Sequence, residues 1–113
     1  MRSAYSALLV TLAFCGAASA GSWVGKASYY NYHRGHTASG MHAGRQTAAH
    51  RFLPFGTHLR VTNLRNRKST VVVVVDRGPF TGGRVVDVSA STAEALDFKQ
   101  NGVALVRVET TNQ

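Results

Sequence analysis

Residues 71–80 read VVVVVDRGPF, which places Asp76, one of only five acidic residues, at the mouth of the most hydrophobic run in the chain. A carboxyl group half withdrawn from water favours its protonated form, whereas the neighbouring Arg77 favours the ionised one. A carboxyl held toward the protonated side can give a proton to a glycosidic oxygen, the task of a general acid. The competing reading is structural: Asp76 accepts hydrogen bonds from the turn amides at 77–80 or pairs with Arg84. A second acid, Asp87 in RVVDVS, either bonds a turn or faces the same cleft. Glu94, Asp97 and Glu109 fall on segments where acids are solvated.

Other clusters carry less chemistry. His33, His36, His42 and His50 gather in and beside one stretch, and H-x-x-H offers two ligands to zinc. No cysteine or acid stands near to complete the set, so neither a metal nor a cofactor is expected. Arg65, Arg67 and Lys68 form a short basic turn, and such turns are ordinarily solvated. Nucleic acid is therefore not an expected partner.

The elements that must position these groups are short strands. Residues 25–30 (GKASYY) read as one strand. Residues 31–50 lack any period and are rich in Gly, His, Ser and Thr, so they read as a long loop, of a length that is usually either functional or disordered. Residues 57–63 (THLRVTN) alternate, with Leu59 and Val61 inward and His58, Arg60 and Thr62 outward. The continuous run at 69–75 (STVVVVV) predicts a central strand buried on both faces. Residues 84–88 and 103–110 read as further strands. Ser91 with Glu94 three residues on predicts a capping box that opens a helix over 92–96. Five or six strands and one helix make a small, mainly β barrel.

The chain has 113 residues and a formal net charge of +8, room for one domain with a basic surface. Residues 1–20 have the layout of a secretory signal peptide: Arg2, an apolar run over 7–14, and Ala18 and Ala20 before a cut at Gly21. The apolar run is too short to span a bilayer. The expected product is a domain over 21–113, exported to the periplasm or beyond, monomeric and without stable membrane insertion. Cys15 leaves with the signal, so no disulfide staples the domain and its core must hold it. A basic exported domain meets anionic polymers readily: cell wall, membrane surface or extracellular nucleic acid.

Taken in order, GKASYY, TASG, TAAHRFLPFGTHLRVTNL, VVVDRGPFTGGRVVDVS and GVALVRVE resemble the rare lipoprotein A (RlpA)-like family. Its fold is the double-psi β-barrel shared with barwin, expansins and some endoglucanases. The resemblance covers residues 25–109 and implies a mainly β fold, a six-stranded double-psi β-barrel with one short helix. It also implies lytic transglycosylase activity on the glycan strands of peptidoglycan, notably strands stripped of stem peptides. The family's catalytic acid falls on Asp76, and the histidine of TAAH, His50, falls on an active-site position that orients substrate or acid. Tyr29, Thr37, Ser39, Gly40, Arg77, Phe80 and Asp87, drawn from the same blocks, are the substrate-binding positions implied. Aromatics Tyr29, Tyr30, Tyr32 and Phe80 can stack on sugar rings or cap the core.

Two departures matter. Met41 stands where family members carry an active-site glutamate, and the segment from there to TAAH is about two residues shorter. The family's lipid-anchor cysteine and its C-terminal peptidoglycan-binding repeat domain are not found in this sequence. A non-catalytic glycan-binding module in the manner of expansins, or a secreted effector, is the alternative.

Overall fold

Alternation sets the first strand pair. A computed structural model describes residues 21–31 and 46–112. In it β3 (His58–Asn63) buries Leu59, Val61 and Asn63 and leaves His58, Arg60 and Thr62 half exposed, as the period of two predicts. The chain turns back through residues 64–68, closed by a bond from the Asn63 amide to the Lys68 carbonyl at 2.8 Å. It then enters β4 (Ser69–Asp76), antiparallel to β3 with Leu59 opposite Val72.

The valine run departs from the expectation of burial on both faces. Val72 and Val74 are fully buried and Val75 is 3% exposed, but Val71 and Val73 are only half buried. The barrel is closed and has a single interior, so a strand within it has one fully dry face. The β-branched residues suit a strand that is paired along both edges, which β4 is.

The remaining strands are β1 (Ser22–Tyr30), β2 (Thr47–Ala49), β5 (Arg84–Ser89) and β6 (Ala104–Thr111). They close the barrel in the order β1-β5-β2-β4-β3-β6. β1–β5 and β2–β4 are parallel, and the other four pairs are antiparallel. The expected six-stranded barrel with one short helix is what forms. β2 lies inside the stretch expected to be loop. Three residues are too few to show a period, and its pairing comes entirely from β4 and β5.

The helix begins earlier than expected. α1 spans Ala90–Ala95, and its cap is Ser89 rather than Ser91. Ser89 has extended backbone, and its hydroxyl accepts from the Thr92 amide at 3.3 Å. Leu96 ends the helix and drops into the core with Leu59, Val61, Val72, Val74, Val86, Val88, Val106 and Val108, all fully buried. The Leu96 carbonyl accepts from the side-chain amides of Asn63 and Asn66 at 2.9 and 3.1 Å, which fastens the helix end to the β3–β4 turn. Among the described residues no helix is long and apolar enough to cross a membrane.

Candidate functional site

One irregularity in strand pairing aims the central acid. Thr47 and Ala48 of β2 face Val73 and Val74, but Ala49 faces Asp76, so Val75 has no partner on that edge. Strict alternation from Val72 and Val74 would turn Asp76 into the core. The extra residue reverses the phase: Val75 takes the buried place, and Asp76 emerges half exposed beside Ala49. Ala49 pairs on its other edge with Asp87, whose neighbours Val86 and Val88 are buried. Asp87 in turn faces Ser28 of β1. Asp76, Ala49, Asp87 and Ser28 therefore form one row across four strands on the outer face of the barrel. Two strand spacings separate the acids, about 10 Å between their Cα atoms.

Each acid has defined partners. The Arg77 amide donates to Asp76 Oδ1 at 2.9 Å, so part of the turn-amide reading holds. Asp87 Oδ1 accepts from the Ser28 hydroxyl. The methyl group of Ala49, with its residue only 5% exposed, is all that stands between the acids in the row.

His50 meets Asp76 through its backbone, the His50 amide donating to the Asp76 carbonyl at 3.1 Å. The residue is 3% exposed, and its ring lies against Trp23 and Phe52, with centroids 5.3 and 4.7 Å away. Nδ1 accepts from the amides of Phe52 and Leu53 at 3.2 and 3.3 Å, which leaves the proton of the neutral ring on Nε2. Burial, with smaller contributions from the charges of Arg51 and Arg77, lowers its pKa from 6.5 to about 4. The ring is uncharged at neutral pH and shapes the loop that Arg77 grips.

Arg77 donates from Nη1 to the carbonyls of His50 at 3.3 Å and Leu53 at 2.9 Å. Its guanidinium carbon sits 4.0 Å from the Phe55 ring centre. Arg77 is thus a brace between the end of β4 and residues 50–55. Phe80, past the turn, is 79% exposed and available for stacking.

Tyr29 is placed elsewhere. It alternates with Ser28, packs against the core, and meets Phe98 edge-on at 6.2 Å between centroids. It lines an open groove of about 620 Å³ with Glu94, Asp97, Lys99, Gln100 and Asn101, apart from the acid row. Tyr30 instead bonds Thr47 through its hydroxyl. Thr37, Ser39 and Gly40 lie outside the described residues, as do Tyr32, Met41, His33, His36 and His42. Among the described residues no group of three His, Cys, Asp or Glu is arranged to hold a metal.

Sequence reasoning passed over Ala49, Ser28, Trp23 and Phe55. The first two carry no chemical signal of their own, since only register reveals them. Trp23 and Phe55 read as ordinary apolar residues until His50 and Arg77 are seen against them.

A family model described as lytic transglycolase matches residues 22–108. The probable endolytic peptidoglycan transglycosylase RlpA of Synechocystis is 51% identical over 89 residues, covering 75% of this chain and 28% of that protein. The endolytic peptidoglycan transglycosylase RlpA of Rickettsia bellii is 44% identical over 92 residues, covering 75% of this chain and 40% of that one. The chain thus spans less than half the length of these curated relatives. Among solved structures, the expansin of Clavibacter michiganensis superposes with a TM-score of 0.68 at 20% identity, covering 81% of this chain and 51% of that one. A variant of that expansin, solved in complex with cellohexaose, gives a TM-score of 0.67 at 20% identity, covering 80% of this chain and 50% of that one. Barrel topology, the ordered sequence blocks and the family match agree: this chain belongs to the RlpA-like lytic transglycolase family of double-psi β-barrels.

Proposed function

We propose that this chain is an exported lytic transglycosylase that cuts the bond between N-acetylmuramic acid and N-acetylglucosamine in peptidoglycan glycan strands. The single observation that carries the reading is the register slip that sets Asp76 on the outer face in one row with Asp87. The names of the relatives support the substrate, and residues 1–20 support export. In the protonated form Asp76 gives its proton to the bridging oxygen. The bond from muramoyl C1 to that oxygen breaks, and the departing sugar leaves with a free hydroxyl. The muramoyl 6-hydroxyl then attacks C1, closes a 1,6-anhydro ring and returns its proton to Asp76. No water enters, and one carboxyl serves both steps, unlike the paired carboxyls of ordinary glycoside hydrolysis. Asp87, fixed by Ser28, is placed to hold a sugar hydroxyl or to face the positive charge that develops on the ring.

A second reading has its own support. Met41 in place of the family glutamate, and the likeness to an expansin that binds cellohexaose, favour a glycan-binding module without turnover. Mass spectrometry of strands stripped of peptides separates the two. New anhydromuramoyl ends after incubation support the enzyme. Intact strands that nevertheless retain the protein select the binder.

A further inference from the structure

The outer face continues past the acid row with charges of opposite sign. Two residues back along β1, Lys26 is exposed and stands opposite Arg84 of β5 on one edge and Leu105 of β6 on the other. Arg107, exposed two residues beyond Leu105, faces Val24 of β1. Lys26 and Arg107 are thus diagonal neighbours, about 7–8 Å apart at Cα. Arg84 precedes Asp87 by three residues on β5, so the cations begin within about 10 Å of the acids. Beside the cations, opposite Arg107 and Lys26, lie two exposed apolar side chains, Val24 at 55% and Leu105 at 52%. The two ion pairs found among the described residues, Lys68–Asp97 and Lys99–Glu94, involve none of these three cations.

We propose that Lys26, Arg84 and Arg107 form a carboxylate-binding track that anchors one arm of the glycan strand beside the acid row. The inference rests on the proposed glycan substrate but not on its cleavage. Charge complementarity selects the occupant. A polymer with an anion on every unit, such as nucleic acid, would meet Asp76 and Asp87 as well as the cations and be repelled at that end. A glycan whose lactyl carboxylates fall on alternate sugars can lay a neutral linkage over the acids and carboxylates over the cations. Val24 and Leu105 then offer apolar surface to the ring faces beside the cations. The occupant is the peptide-free strand of the proposed substrate, and its free lactyl carboxylates are the groups the track would hold.

The test is fluorescence anisotropy with labelled, peptide-free glycan strands, using the Asp76→Asn protein so that strands stay intact. Lys26→Gln/Arg84→Gln/Arg107→Gln in that background should weaken binding at low salt by about tenfold or more. A charge-matched control, Arg67→Gln/Lys68→Gln/Lys99→Gln, should stay within about twofold. Converting the lactyl carboxyls to amides should weaken binding to the unaltered track by a similar factor and cost the track variant nothing further. Equal binding by track and control variants would overturn the proposal, as would undiminished binding of amidated strands. Tighter binding to duplex DNA or to phosphatidylglycerol vesicles would also overturn it. Carboxylate-dependent binding by a wild-type protein that forms no anhydro ends leaves the track standing and removes the enzyme reading alone.

Discussion

Strand β4 is paired along two edges, and the two edges are built differently. Against β3 five residues pair without interruption, from Ser69 opposite Thr62 to Val73 opposite His58. Against β2 the pairing slips by one residue before Asp76. The regular edge puts every second side chain into the core and yields stability. The irregular edge gives up one ladder position and in return points a carboxyl outward from an apolar strand. The outward-facing acid sits where the regular pattern is broken.

The irregular edge should show the largest effect. Asp76→Asn keeps the shape of the side chain and removes its acid, so formation of anhydromuramoyl ends should fall by about 10²–10⁴-fold. Melting temperature should hardly move. A rate within tenfold of wild type, measured by mass spectrometry, would place the catalytic group elsewhere.

The regular edge is broken by Leu59→Ala. Leu59 is fully buried opposite Val72, and its truncation should lower unfolding free energy by about 2–5 kcal/mol in urea titrations. A loss under about 1 kcal/mol would mean that this half of the core collapses around the gap.

The loop that braces the irregular edge should respond to acid. The folded-state pKa of His50 is about 4, below its ordinary 6.5, so the unfolded chain binds a proton there that the folded chain refuses. Its contribution to stability is complete above pH 6.5, declines as pH falls, and levels off below about 4. The full difference is at most about 3 kcal/mol, less whatever solvent screening removes. His50→Gln should flatten that segment of the stability curve relative to wild type, whereas parallel curves would show that the ring titrates in the fold as it does in the unfolded chain.

The smallest effect is expected at the cap. Ser89→Ala should cost about 1 kcal/mol. Ser91→Ala should stay within about 0.5 kcal/mol, and the reverse order in thermal melts would return the cap to Ser91.

Much of the barrel was legible because local pattern and burial agree in it. Leu59 and Val61 alternate with polar neighbours, and Gly-rich turns bracket the strands. The valine run implies a two-faced strand in sequence alone, because a β-branched run looks the same whether one face or both are dry. The true helix start is hidden in the sequence because Ser89 also ends a strand, and its capping role depends on backbone that has already left the sheet. Asp76 stood out because a charge beside five valines is costly to leave without a use. Its companions Ala49 and Ser28 had no such signal, being small residues whose importance is purely positional.

The sequence by itself determined a small β domain, a basic surface and the one acid most suited to chemistry, because residue type and period act locally. Only the tertiary structure decided that Asp76 faces outward, that Asp87 shares its row, and that Tyr29 turns toward Phe98. Those outcomes depend on register between strands far apart in the chain. A one-residue slip in pairing reverses the face of every side chain beyond it.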